Sequence, residues 1–230
     1  MVLLSVDGVN VAGKDATGVA RLIETIADNA RFVFESHPLP TLLYRAGAEE
    51  DAKSQYILGL RYQAGEGVVK DTAAAAGWFA QAAGIGHPPA QYNLGLCYAN
   101  QKDKVAAVKW FAQAAEGGYV KALYTLGICY AAGEGVKKCR VTAAQWYRQA
   151  AEVGHTAAQY KLGVCCANGK GGVPNNKVAA AHWYLRAAEA GHAKAMFRLG
   201  ACYATGKGVP KDEAVAVTWY NAYCTAKTVW

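Results

Sequence analysis

Serine is almost missing from this chain, standing only at positions 5, 36 and 54. None of the three sits in a plausible partnership with a His and an Asp, so a serine nucleophile would have nothing to activate it. Charged residues make up only 18% and hydrophobic residues 53%, which excludes a disordered chain and allows a large core. No apolar run approaches the roughly 18 residues a membrane span needs. The opening Met1-Val2-Leu3-Leu4-Ser5-Val6-Asp7-Gly8 lacks the basic region of a signal peptide. These absences point to the cytoplasm, or the nucleus. Seven Cys, at 97, 129, 139, 165, 166, 202 and 224, form no C-x-x-C pair and no Cys/His cluster of zinc spacing. An odd count without a leader argues against a disulfide framework, and neither a metal nor another cofactor is expected.

What the chain does have is a repeat. The string small-x-aromatic-x-Leu-Gly occurs five times, with its Gly at 59, 95, 127, 163 and 200, in steps of 36, 32, 36 and 37. A period of this size is the mark of a repeat architecture. A second string, Trp-aromatic and usually Ala-Ala soon after, follows each copy and begins at Trp78, Trp110, Trp146, Trp183 and Trp219. The length changes fall in the segment between the two strings, as expected where two helices are fixed and their turn is free.

Each copy therefore reads as helix A, turn, helix B, with A near 51–64 and B near 71–84 in the first. Turns carrying Gly65, Gly133, Gly169 and Gly206 suit the positive φ that ends a helix. Asp71, Asp103, Asn176 and Asp212 stand where a side chain can cap helix B, and Cys139 is the poor cap of the series. Around helix A, Leu58, Ser54 and Tyr62 form one stripe that should pack on Trp78, Ala82 and Ala83 of helix B. Cys97, Cys129, Cys165 and Cys202 share one position beside that stripe and read as small apolar residues at a crowded contact.

The opposite side of helix A repeats too. Tyr56, Tyr92, Tyr124, Tyr160 and Phe197 lie roughly 160° from the buried Leu, followed four residues on by Leu60, Leu96, Ile128, Val164 and Ala201. An aromatic there in every copy forms a ladder along an inner, concave surface. It serves either packing against the next helix A or a groove for a partner, flanked by Lys53, Lys121 and Lys194. Charge sharpens the second reading. Residues 72–211 carry a net charge of +11, against −3 for residues 1–71, so acidic partners are favoured.

These residues resemble a known family. The pattern Ala-x-x-x-Leu-Gly-x-x-Tyr-x-x-Gly-x-Gly-Val, followed by Trp-Tyr-x-x-Ala-Ala-x-x-Gly, is similar to the Sel-1-like repeat, a subgroup of the tetratricopeptide-type solenoids. The resemblance covers about residues 50–225. It implies a mainly α fold, an α/α superhelix of five helix–turn–helix repeats, and an adaptor role. Three of the five His repeat at one turn position, at 87, 155 and 192, and no glutamate pair stands out, so no enzymatic activity is expected.

The first fifty residues differ. Residues 3–6 and 9–11 read as short strands about an Asp7-Gly8 turn, 16–26 as a helix, 31–35 as a strand, and Pro38-Leu39-Pro40 as the start of a linker over 38–49. That order resembles the C-terminal half of a PDZ domain over 1–37, a small α+β fragment without its carboxylate loop. Gly8 to Lys14 matches most of a phosphate-binding loop, but Asp15 stands where a hydroxyl should meet Mg²⁺, so nucleotide binding is not expected. The sequence as a whole predicts a scaffold that binds partner proteins. The alternative is RNA or an anionic surface held by the basic central repeats. Self-association through an open repeat end or unpaired N-terminal strands is a further expectation.

Overall fold

The structure is a computed structural model, and it describes residues 5–6, 9–10 and 39–228. Among the described residues there are two short strands and eleven helices. Strands β1 (Ser5–Val6) and β2 (Val9–Asn10) pair antiparallel, with Ser5 opposite Asn10 and Val6 opposite Val9. The rest of the expected PDZ-like fragment, including the helix over 16–26 and the strand over 31–35, lies outside the described residues.

The chain divides into two compact units. Within Ile26–Lys138 stand α1 (Leu39–Ala48), α2 (Ala52–Ala64), α3 (Thr72–Gly84), α4 (Pro88–Asn100), α5 (Lys104–Glu116) and α6 (Val120–Ala132). Within Cys139–Trp230 stand α7 (Arg140–Glu152), α8 (Thr156–Asn168), α9 (Lys177–Glu189), α10 (Ala193–Thr205) and α11 (Glu213–Thr228). Helices α2, α4, α6, α8 and α10 carry the Leu-Gly string and are the A helices. Helices α3, α5, α7, α9 and α11 carry the Trp string and are the B helices.

The caps follow the sequence. The Ala73 and Ala74 N–H groups donate to Asp71 Oδ1 at 2.8 and 2.9 Å. Ala106 N–H donates to Asp103 Oδ1, Ala179 N–H to Asn176 Oδ1 and Val215 N–H to Asp212 Oδ1, at 2.9, 2.9 and 3.0 Å. Cys139 makes no such side-chain cap, yet α7 begins in the same register as its sisters. At the other end of helix A, Gly65 takes φ 82° and its N–H closes on the Arg61 carbonyl. An L side chain would be strained in that left-handed conformation.

In the Ile26–Lys138 unit, two buried clusters stand at the start of the repeat array. Ala75, Phe79, Ala82, Ala83, Ala90 and Leu94 form one, and Leu42, Ala46, Ile57 and Leu58 the other. The Leu-Gly string has a steric basis. A Cβ on Gly59 would stand 2.4 Å from Phe79 Cε1, and one on Gly95 would stand 2.6 Å from Phe111 Cε1. The second unit repeats the device, Gly163 facing Tyr184 and Gly200 facing Tyr220 at 2.7 and 2.9 Å. The buried ring of helix B is therefore the residue after the Trp. Phe79, Phe111, Tyr147 and Tyr184 are buried while the five Trp are half-buried. This corrects the expectation that the Trp itself fills the helix A–helix B contact. The Gly clears room for the neighbouring ring, and Trp78 lies against the Leu42 cluster instead.

The linker expected over 38–49 is in fact helix α1. Pro40 falls at the second helical position, where no intrahelical N–H bond is lost. Leu42 and Ala46, four residues apart, turn a fully buried face to α2. Gln55 Nε2 donates to the Ala46 carbonyl at 2.9 Å, just as Gln91 Nε2 donates to the Ala83 carbonyl at 3.3 Å. So α1 occupies the place of a helix B ahead of the first repeat, and each buried Gln satisfies a carbonyl left open at a helix end.

Candidate functional site

The expected partner surface lies on the A helices, and each unit presents its own part. In the Ile26–Lys138 unit, Tyr56, Tyr92 and Tyr124 are all half-buried. Tyr56 packs one edge on Phe79 (centroids 6.0 Å) and on His87 (4.9 Å). Tyr92 does the same with Phe111 (5.4 Å) and Tyr119 (5.2 Å). Hydroxyls tie neighbouring A helices together: Tyr56 hydrogen-bonds the Asn93 side chain, and Thr125 Oγ1 stands 3.5 Å from Tyr92 Oη. Burial raises the Tyr56 and Tyr124 phenols above their usual value and pushes Tyr119 up to about 12, so all three stay neutral hydrogen-bonding groups.

In the Cys139–Trp230 unit, Tyr160 stacks on His192 with centroids 4.6 Å apart and planes at 21°, and it lies 6.1 Å from Tyr184. Phe197 is more open, 46% exposed, with Tyr220 and Tyr223 beside it at 5.6 and 5.4 Å. Lys53, Lys121 and Lys194 are exposed, as are Lys161 and Arg198. None of the five A helices contains an Asp or a Glu. Each of the five rings is thus partly packed and partly open to solvent.

The three histidines that share one turn position, a structural place in the sequence, have a more specific role than that position announces. His87, His155 and His192 are the N-caps of α4, α8 and α10, each accepting through Nδ1 from the N–H three residues on, at 3.3, 3.2 and 3.2 Å. They stand where the first repeat has Asp51, which accepts from Ser54 N–H at 2.9 Å. That alignment was the available signal, but a His accepts there only in one neutral tautomer. Burial lowers the pKa of His87, opposed by Asp51 and reinforced by Lys53. Burial likewise lowers His192, partly offset by its own backbone hydrogen bond, with Lys194 and Lys161 adding to the effect. The Cys97, Cys129, Cys165 and Cys202 thiols are pushed up by burial, the opposite of an activated nucleophile. Among the described residues, no helix is long and apolar enough to cross a membrane.

With this geometry in place the comparisons are unambiguous. The Sel1 repeat matches five times in succession, over residues 52–87, 88–119, 120–155, 156–192 and 193–222. The chain belongs to the Sel1 repeat family. A Sel1 repeat protein from Oxalobacter formigenes is 32% identical, with TM-score 0.78 over 87% of this chain and 85% of that one. The protective antigen c5321 of uropathogenic Escherichia coli is 31% identical, with TM-score 0.76 over 86% of this chain. The present chain spans only 48% of that antigen's length. YrrB, a TPR protein described as having an unusual peptide-binding site, shares the fold at 19% identity and TM-score 0.50, covering 84% of this chain and 94% of its own. No curated protein matches the sequence. The fold is the mainly α solenoid of these Sel1 structures, and proteins of this repeat type generally mediate protein–protein interaction.

Proposed function

We propose that this Sel1 repeat protein is a scaffold that holds acidic segments of partner proteins on the faces of its A helices. The reading rests on one observation. Each A helix offers an aromatic ring with one side open, the exposed charges on these helices are Lys53, Lys121, Lys161, Lys194 and Arg198, and no carboxylate stands among them. Open rings supply apolar contact at low entropy cost, and unopposed cations draw in an acidic chain and fix its register.

The test is affinity capture from a lysate of the source cell, after nuclease treatment, with the natural chain beside a Lys53→Glu/Lys121→Glu/Lys194→Glu variant. All three side chains are exposed, so the variant should fold unchanged. Proteins held by the natural chain and lost by the variant support the scaffold. Equal capture by both sinks the A-helix assignment. Retention of RNA alone, lost as salt rises, would move the function to nucleic acid.

A further inference from the structure

Along the A helices, the residue four after the ladder aromatic is Leu60, Leu96 and Ile128 in the first three repeats, then Val164 and Ala201 in the last two. Leu60 is packed against the Phe79 cluster. Where the side chain shrinks, a hollow of about 310 Å³ opens between α8, α9 and α10, wholly inside the Cys139–Trp230 unit. Its apolar lining comes from Val164, Ala167, Ala180, Ala201 and Cys202, with the Tyr184 ring beside them.

The polar side of this hollow is one-signed. Lys177, Arg198 and Lys207 line it, together with Asn168 and Thr205. Asn168 Nδ2 already donates to the Val164 carbonyl at 2.8 Å, and Thr205 Oγ1 to the Ala201 carbonyl at 2.7 Å. The Lys177 ammonium donates to the Ala167 carbonyl, which leaves it two further N–H groups. The carboxylates of residues 139–228 are Glu152, Glu189, Asp212 and Glu213, and none lines the hollow. Asp212 caps α11, and Glu213 pairs with Lys211 at 2.8 Å. Three cations thus surround an apolar recess with no counter-charge.

We infer that this hollow is a binding site for the C-terminal residue of a partner chain, an aliphatic residue whose side chain covers the apolar floor while its terminal carboxylate meets Arg198, Lys177 and Lys207. The chemistry selects this ligand. A terminal residue carries its carboxylate and its aliphatic side chain on one carbon, so floor and cations are engaged together. An internal Asp or Glu brings only one or two methylenes and leaves the floor uncovered, and an inorganic anion leaves it bare. Arg198 can grip a carboxylate through two parallel N–H bonds. The inference deepens the scaffold reading and rests on it for the identity of the ligand as part of a protein.

The experiment needs no partner. The full chain, labelled with ¹⁵N, is titrated with N-acetyl-L-leucine, N-acetyl-L-leucinamide, N-acetyl-L-glutamic acid α-amide and inorganic phosphate. Saturable shifts at Cys202 and Thr205 are expected with N-acetyl-L-leucine, at affinities on the order of millimolar for so small a ligand. The leucinamide should produce none. Arg198→Gln should weaken binding about tenfold by removing a charge-assisted pair. Ala201→Leu, which installs the residue that two sister repeats carry at this register, should fill the hollow and weaken binding as much in a folded chain. N-acetyl-Ala-Leu should bind no more weakly than N-acetyl-L-leucine. Equal binding of the amide would overturn the carboxylate role. Phosphate or the glutamic acid amide binding as well as N-acetyl-L-leucine would make this a general anion site and overturn the chain-end assignment. Loss of binding on adding the Ala would mean that only a lone amino acid fits, with no room for the chain before it, and would overturn the chain-end assignment; absence of saturable shifts would overturn the site altogether. Failure here leaves the Lys53/Lys121/Lys194 capture result standing, so the two readings fail separately.

Discussion

The units within Ile26–Lys138 and Cys139–Trp230 are built from the same two-helix repeat, but they fill it differently. In the first, Phe79 and Phe111 are 0% and 3% exposed beneath Gly59 and Gly95, and Leu60 packs against the Phe79 cluster. In the second, the last B-helix ring, Tyr220, is only half-buried, Phe197 is open, and Val164 and Ala201 leave a hollow. The signature strings are the same, so they secure the fold. The residues between them, free to shrink, decide where the surface is closed and where it can receive something.

The sharpest way to break this comparison is to remove one ring from each unit. Phe79→Ala should cost about 3–5 kcal/mol, as for other fully buried aromatics. Tyr220→Ala should cost roughly half as much, because its ring already meets solvent. Urea denaturation gives both numbers, and equal losses would mean that the second unit is packed as tightly as the first.

A smaller effect sharpens the same contrast. Gly59→Ala places a Cβ 2.4 Å from a ring that cannot yield, while Gly200→Ala places one 2.9 Å from a half-buried ring. Overpacking costs about 1–3 kcal/mol, and Ala regains about 1 kcal/mol over Gly in a helix. Gly59→Ala should therefore destabilise by about 1–2 kcal/mol and Gly200→Ala should be close to neutral, read from the same urea midpoints.

Much of this architecture was legible beforehand because its signals are local and repeated. Five copies of Leu-Gly set the A helices, and Asp71, Asp103, Asn176 and Asp212 announced the B-helix starts through one side chain and one N–H each. What stayed hidden depends on relations between elements. Helix α1 carries neither string, and its Pro-x-Pro start reads as a break until Leu42 and Ala46 are seen against α2. The conspicuous Trp drew attention from the ring beside it, which only the space above Gly59 identifies as core. The ladder residues Tyr56, Tyr92, Tyr124, Tyr160 and Phe197 were visible as a stripe, but the hollow at Val164 and Ala201 is an absence of side-chain volume shared between two repeats.

Capping offers a third contrast, on the scale of one hydrogen bond. Among the B helices, α7 alone starts with no side-chain bond to a backbone N–H of its first turn, at Cys139, where α3, α5, α9 and α11 have Asp71, Asp103, Asn176 and Asp212. Cys139→Asp should stabilise the chain by about 0.5–1 kcal/mol, seen as a raised melting temperature. No gain would mean that the N-terminus of α7 is already satisfied by other groups.

The smallest effect distinguishes the units by their titrating caps. His87 and His192 accept a backbone N–H through Nδ1, which only the neutral ring can do, and burial holds both below their ordinary pKa. A folded-state pKa below that of the unfolded chain means the unfolded state binds the proton more readily. Their contribution to stability is therefore complete above about pH 6.5 and is lost as the pH falls through that value towards the folded-state pKa. Asp51 beside His87 opposes that loss, whereas at His192 a backbone hydrogen bond offsets part of the burial and two lysines, Lys194 and Lys161, add to it. Urea midpoints measured from pH 7.5 to 5.5 should decline below pH 6.5, and His192→Asn should flatten the decline more than His87→Asn, since Asn caps without titrating. A decline left unchanged by both replacements would place the acid sensitivity elsewhere, and the reverse ranking would mean that the Asp51–Lys53 surroundings of His87 do not offset its burial.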